Sequence, residues 1–307
     1  SEIKNLVEKI PGPTTKQFEK IANKHSCFIV IGLPEVDEDT KLYYNSAVLI
    51  GPNGIIGKHR KSHSYIAEPK WSAPGQEHLV FETDIGKIGI LICMDIHFIE
   101  TARLIALQDA DIIIHISNWL GERTPAPYWI SRAFENSCYL IESNRWGLER
   151  TVQFSGGSCV INPDGTIASV IDKGDGIAYA NIDISWAREK KVLNEKIFND
   201  RRPEMYLNLP TDPYLWNPLD FFNLYGLNPL PKGKKSLVSI VQMSSNKDSK
   251  KNLENIFKYL DKAKSEKSEL VVFPELILTG HLNKNKSAVE KDDPKILGLA
   301  KYANKNQ

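Results

Sequence analysis

The sequence predicts an α/β fold, or a layered α-β sandwich, and three observations predict it. Short apolar runs rich in Ile, Val and Leu alternate with stretches of helical spacing along the whole chain. Turn signals such as Pro52-Asn53-Gly54 and Asp164-Gly165 separate several of the runs. The chain has 307 residues, 41% of them hydrophobic, enough for a substantial core.

In chain order, Phe18, Ile21 and Ala22 share one helical face over Lys16 to Lys24, and Cys27 to Ile31 reads as a short buried strand. Tyr44 to Ile50 is the next strand. Lys87 to Cys93 is a third, followed by a helix around Ile99 to Leu107. Asp111 to Ile116 is a fourth strand, Tyr128 to Asn136 a helix, and Tyr139 to Glu142 the start of a fifth strand. Cys159 to Ala168 reads as a hairpin around its Asp-Gly turn. From Trp186 to about Lys235, Asn, Pro and aromatics occur without a sustained period, which predicts an extended tail. A βαβ unit follows: strand Leu237 to Val241, helix Asn252 to Ala263, strand Leu270 to Phe273. The expected division is therefore a domain over 1–230 and a βαβ unit over 231–307. One internal repeat is visible, since Val7-Glu8-Lys9, a Pro and Ala22-Asn23-Lys24 are echoed by Val289-Glu290-Lys291, a Pro and Ala303-Asn304-Lys305.

Lys plus Arg total 39 against 38 acidic residues, so no global field draws in nucleic acid or an anionic membrane, and the expected partner is a small molecule. Cys27, Cys93, Cys138 and Cys159 are widely spaced, without a CxxC pair, and read as free thiols of a reducing compartment. No signal-peptide pattern opens the chain, and its apolar runs are too short for a membrane span. A cytoplasmic protein is expected, although a chain starting at Ser1 leaves open a leader already removed.

Cys93 closes an apolar strand and precedes a helix, which places its sulfur on a sharp strand-to-helix turn. A helix N-terminus there would lower the thiol pKa and leave backbone N–H groups for an oxyanion; the competing reading is a buried apolar cysteine. By itself the cluster Lys58-His59-Arg60-Lys61-Ser62-His63 reads as a solvated basic loop. Glu275 ends the strand LVVFPE, where a carboxylate caps a helix or faces a cleft. His97 and His115 have no partner at ligand spacing and read as structural, so neither a metal nor a cofactor is expected.

Together these spellings resemble the nitrilase (carbon-nitrogen hydrolase) superfamily. IGILICMD at the cysteine, the cluster around Lys61, and VVFPEL followed by Thr279-Gly280 each resemble one of its signatures. So do YYNSAVLIGPNG, APGQE, VFETDIGKIG, SNW, RAFEN, SGGSCVINPDG and NDRRPEMY, so that nearly the whole chain is covered. The resemblance implies a four-layer α-β-β-α sandwich and a homo-oligomer. Carried over by motif, it also implies Cys93 as nucleophile, Glu275 as base, Lys61 as oxyanion partner, and Glu68 as a second glutamate that keeps Lys61 oriented. The Met94 backbone N–H would aid the oxyanion, and Asn118 and Trp119 would line the pocket; otherwise those two are a helix cap and a core aromatic.

One feature departs from the family pattern. Family members place the glutamate-bearing strand before the lysine and cysteine, whereas here Glu275 follows them. A permuted domain, a piece of a tandem protein and the ordered parts of a longer chain all remain open, the repeat favouring the second. A bare sheet edge invites aggregation, so the βαβ unit is expected to fill the gap, in its own chain or in a neighbour.

The nitrile-hydrolysing branch typically carries Trp-Glu after its cysteine, whereas Met94-Asp95 resembles the amidase and N-carbamoyl-amine branches. The expected activity is hydrolysis of a non-peptide C–N bond in a small amide or N-carbamoyl amine through a cysteine thioester. The alternative is a catalytically inactive scaffold for oligomerisation or binding.

Overall fold

In a computed structural model that describes residues 2–120, 123–207, 209, 233–280 and 289–305, the chain divides into two compact units, Ser1–Asn208 and Leu209–Gln307. Among its described residues the first unit holds two larger sheets and a small two-stranded one. Helix α1 (Pro13–His25) starts on its proline, whose missing N–H costs nothing at a helix start, and leads into β1 (Ile29–Val36). That strand pairs antiparallel with β2 (Tyr43–Gly51), and β2 with β3 (Gly54–Arg60), giving a three-stranded sheet in the order β1-β2-β3.

The second sheet of this unit has six strands. Its centre is parallel: β5 (Gly86–Ile92) pairs with β6 (Ile112–Ser117), and β6 with β7 (Tyr139–Asn144). Antiparallel strands flank it, β4 (Val80–Thr83) beside β5, then β10 (Ser158–Ile161) and β11 (Ile167–Ile171) beyond β7. Helix α2 (Ile99–Ala106) joins β5 to β6 and α3 (Pro127–Asn136) joins β6 to β7, as parallel strands require a crossover. A short hairpin, β8 (Trp146–Glu149) with β9 (Val152–Ser155), precedes β10. Helix α4 (Ile184–Arg188) overlaps the start of the stretch read as an extended tail, much of whose remainder, from 210 to 232, is outside the described residues.

Alternation along the strands sorts the core into three clusters. Ala22 of α1 packs with Val48 and Ile50 of β2 and Leu33 of β1. Ala47 and Leu49, on the opposite face of β2, meet Ile88, Ile90 and Ile92 of β5 between the two sheets. Leu91, Ile113 and Leu140, on the far face of the six-stranded sheet, pack against Ile105 of α2 and Trp129 and Ala133 of α3.

The second unit is a βαβ element followed by a helix. Strands β12 (Val238–Ile240) and β13 (Leu270–Val272) pair in parallel and are joined by α5 (Ser249–Ser265). Asp248 caps α5 by accepting from the Lys250 N–H at 2.9 Å. The sequence repeat falls on α1 and on α6 (Pro294–Lys305), each of which begins at its proline.

The observed strands run to slightly different limits from those read in the sequence; β1, for instance, continues to Val36. Short β4, β8 and β9 carry too little apolar alternation to stand out. Among the described residues no helix is long and apolar enough to cross a membrane.

The seat of α2 depends on Gly89, where a Cβ would lie 2.1 Å from Ile105 Cγ2. Gly89→Ala is expected to destabilise the first unit by about 1–3 kcal/mol through overpacking, and Ile105→Ala by about 2–5 kcal/mol through a cavity. Denaturant titration should show the double variant costing less than the sum, because the new methyl occupies the void; strict additivity would mean that this contact does not limit residue 89.

Candidate active site

The segment Lys58-His59-Arg60-Lys61 is not a solvated loop. It is the end of β3 and the residue just after it, and its side chains alternate between two sets of partners. Lys58 and Arg60 reach the buried Glu35 of β1, which also accepts from Ser46 Oγ at 2.6 Å. Burial works to raise the Glu35 carboxyl, but these donors hold it below its ordinary value. His59 and Lys61 point the other way and are both buried.

Lys61 Nζ binds Glu68 Oε2 in a close ion pair. Glu68 is held in turn by Asn45 Nδ2 at 2.7 Å on Oε1 and by the Tyr65 N–H at 2.6 Å on Oε2. The Lys61 backbone is fixed as well, donating to the Asn45 carbonyl at 2.8 Å and accepting from the Gly75 N–H at 2.8 Å. Asn45 and Gly75, both within segments of family resemblance, are thus positioning residues that sequence reading did not single out.

Cys93 stands where β5 ends and a 3-10 turn, Cys93–His97, begins, with a left-handed φ of 48°. The backbone turns sharply at the sulfur, in a region that non-glycine residues occupy only when their surroundings hold them. Two anchors do so. The fully buried Asp95 carboxylate accepts from the Ile92 N–H at 3.0 Å, the Ser62 and His63 N–H groups at 3.0 and 2.9 Å, Ser62 Oγ at 2.8 Å, and pairs with His59 Nε2 at 2.9 Å. On the other side Arg132, in the RAFEN segment of α3, donates to the Ile96 and His97 carbonyls at 3.2 and 3.3 Å. Burial opposes the charge on Asp95, but its donors win, and the carboxyl lies far below its usual range.

The thiol behaves differently from expectation. A helix N-terminus was expected to lower its pKa; instead burial raises it above the ordinary value, against the pull of the Lys61 ammonium and the Asn118 backbone N–H. Desolvation is the larger effect at a sulfur that the sheet end and Lys61 leave only partly open. Cys138 and Cys159 are more deeply enclosed, and the Cys159 thiol is pushed up to about 12.

A cavity of about 150 Å³ opens above Cys93, bordered by Met94, Asn118 and Trp119 together with Tyr65 and His97. That is smaller than the ~300–1,000 Å³ of pockets for drug-sized ligands and suits a small acyl group. His97, Tyr128 and Trp119 form a ring cluster beside it. A larger cavity, about 1080 Å³, lies in the second unit between α5 and α6, but it is lined mainly by apolar side chains such as Ile256, Leu260 and Leu299 and includes no cysteine. Of the sequence-derived residues, Cys93, Lys61, Glu68, Met94, Asn118 and Trp119 all lie in the first unit, at or next to the smaller cavity. Glu275 is an exposed residue of the second unit, three positions beyond β13.

A family model described as carbon-nitrogen hydrolase matches residues 2–191 and 237–307. The chain belongs to the carbon-nitrogen hydrolase family. It is 38% identical over 210 residues to a nitrilase of Pyrococcus abyssi, covering 67% of this chain and 79% of that protein. It is 28% identical over 217 residues to the omega-amidase NIT2 of Bos taurus, covering 66% and 78%. Among solved structures, Saccharomyces cerevisiae Nit3, described as a member of the nitrilase superfamily, superimposes with a TM-score of 0.56 at 29% identity, over 61% of this chain and 72% of that one. Family membership places a cysteine on a sharp turn and a buried lysine among relatives named for hydrolysis of C–N bonds.

Two outcomes test this electrostatic arrangement. Removing the ammonium in Lys61→Met should push the Cys93 thiol still higher, so that the pH midpoint of its alkylation by iodoacetamide moves up; an unmoved midpoint would show that Lys61 does not act on the sulfur. Asp95→Asn should cost about 3–5 kcal/mol near neutral pH, as breaking a buried charged network does. A carboxyl held below its ordinary value stabilises the fold above about pH 4 and loses that contribution as pH falls, so the gap between wild type and variant should narrow on acidification.

Proposed function

We propose that this chain hydrolyses a small amide or N-carbamoyl amine through a thioester on Cys93. The observation that carries the reading is the buried Lys61–Glu68 pair beside a turned-out cysteine at a small cavity. The succession α1, three-stranded sheet, six-stranded sheet, α2 with α3 supports the four-layer α-β-β-α sandwich expected of such an enzyme. An amide substrate is supported by Met94-Asp95 after the cysteine and by the omega-amidase among the relatives.

Because burial holds the thiol protonated, attack needs a base that arrives with the substrate or sits close to the sulfur. Glu275 is assigned that role, supplied by the second unit of the same chain or of a neighbouring copy. Its carboxylate takes the thiol proton as Sγ bonds to the carbonyl carbon, and Lys61 with the Met94 N–H holds the charge that moves onto oxygen. The proton passes to the leaving nitrogen, the C–N bond breaks, and ammonia or an amine departs. Glu275 then draws a proton from water, whose oxygen attacks the thioester, releasing the acid and restoring the thiol. Glu68 keeps Lys61 aimed and charged throughout. Asn118 and Trp119 bound the acyl side of the cavity.

The raised thiol also favours a second reading, a scaffold that keeps the fold without turnover. Ammonia release from a panel of small amides and N-carbamoyl amines separates the two, with Cys93→Ser and Glu275→Gln expected to lose at least about 10³-fold in kcat. Full activity in Glu275→Gln would move the base elsewhere. Mixing the two inactive variants should restore activity only if the carboxylate acts across copies.

A further inference from the structure

Four polar side chains form a square on one face of the six-stranded sheet, beneath the cysteine. His115 and Ser117 stand two apart on β6, and Glu142 and Asn144 stand directly opposite them on β7. All four are buried. His115 Nδ1 meets Glu142 Oε2 in a close contact, and its Nε2 lies 3.0 Å from the Cys93 carbonyl oxygen. Ser117 Oγ meets Glu142 Oε1 closely and lies 2.9 Å from Asn144 Oδ1. Trp119 and Trp129 approach His115 edge-on.

Proton counting fixes the part that matters. A carbonyl oxygen only accepts, so His115 Nε2 carries a hydrogen. The contact at Nδ1 needs one more, either on the imidazole with Glu142 ionised or on Glu142 with the imidazole neutral. In both forms the pair holds two protons and no net charge, though Glu142 still works to raise the Cys93 thiol. Asn144 is oriented by its own donors, Nδ2 to Ser155 Oγ at 3.0 Å and to the Gly156 carbonyl at 2.6 Å, while the Trp119 N–H donates to Oδ1 at 2.9 Å. The square is thereby fastened at the corner away from Cys93.

The Cys93–Met94 peptide is trans, so its carbonyl and its N–H point in opposite directions. With the carbonyl drawn down to His115, the Met94 N–H is turned the other way, and Met94 borders the cavity. We infer that His115, held by Glu142, is a positioning residue that aims the Met94 backbone N–H at the oxygen of a bound substrate. This rests on the hydrolase reading above and deepens it: His115 touches no reacting atom and acts through a single peptide plane.

Substitutions at His115 test it in the full chain, because an Asn nitrogen falls near Nδ1 whereas a Gln nitrogen reaches the place of Nε2. His115→Asn should lower kcat about 10–100-fold, as misaimed oxyanion donors do, with KM within about threefold. Alkylation of Cys93 by iodoacetamide, which develops no oxyanion, should stay within about threefold of wild type. His115→Gln should recover at least about tenfold of the lost kcat. Alkylation falling in step with kcat, or Gln no better than Asn, would overturn the inference, since the residue would then merely support the sulfur or the fold. If wild type hydrolyses none of the amides, the functional reading fails by itself, and histidine ¹⁵N NMR still decides the positioning: His115, assigned by its loss in His115→Asn, should show a protonated Nε2 at pH 7, and a bare Nε2 would refute the carbonyl anchor.

Discussion

The Asp95 carboxylate is the knot on which the arrangement depends. Lys61 arrives from a strand of the three-stranded sheet and Cys93 from a strand of the six-stranded sheet, and apolar packing between sheets sets their spacing only loosely. Asp95 removes that slack, because its two oxygens accept from the cysteine side at Ile92 and from the lysine side at His59, Ser62 and His63. Charge-assisted bonds in a dry interior are short and directional, so one residue couples the two halves of the site. Arg132 performs the complementary task from α3, gripping the carbonyls at the end of the Cys93 turn.

Much of the frame was legible in the sequence, and the reason is periodic. Ile88 to Ile92 and Ile112 to Ile114 are nearly continuous apolar runs because their strands are buried on both faces, and that signal is local. Lys61 was harder. Charged residues at alternate positions look like a solvated loop unless their partners are known, and the partners of Lys58 to Lys61 are Glu35, Glu68 and Asp95, all brought in by the fold. The family resemblance found Lys61; the residue pattern alone did not. His115 was read as structural for want of a partner, and Glu142 could be paired with it only once the strand register was known. A period-two spelling, His-x-Ser on one strand and Glu-x-Asn on the next, was nevertheless present. The state of the thiol was misread because a helix N-terminus is visible in a sequence whereas desolvation is not.

Burial serves two opposite ends in this site. It raises the Cys93 thiol above its ordinary value, which disfavours the thiolate. It also magnifies charges that remain, so the Lys61–Glu68 pair acts at higher strength than it would in water.

The left-handed backbone at residue 93 has one more consequence. Only glycine adopts that conformation without penalty, and a side chain there costs about 1–2 kcal/mol. At this backbone position alone, glycine would relieve the bend, but the Cys93 side chain packs against two core clusters and its loss would leave a void. Ser26 and Ser137 carry the same backbone cost at helix ends, whereas at residue 93 it falls on a sulfur that borders the small cavity.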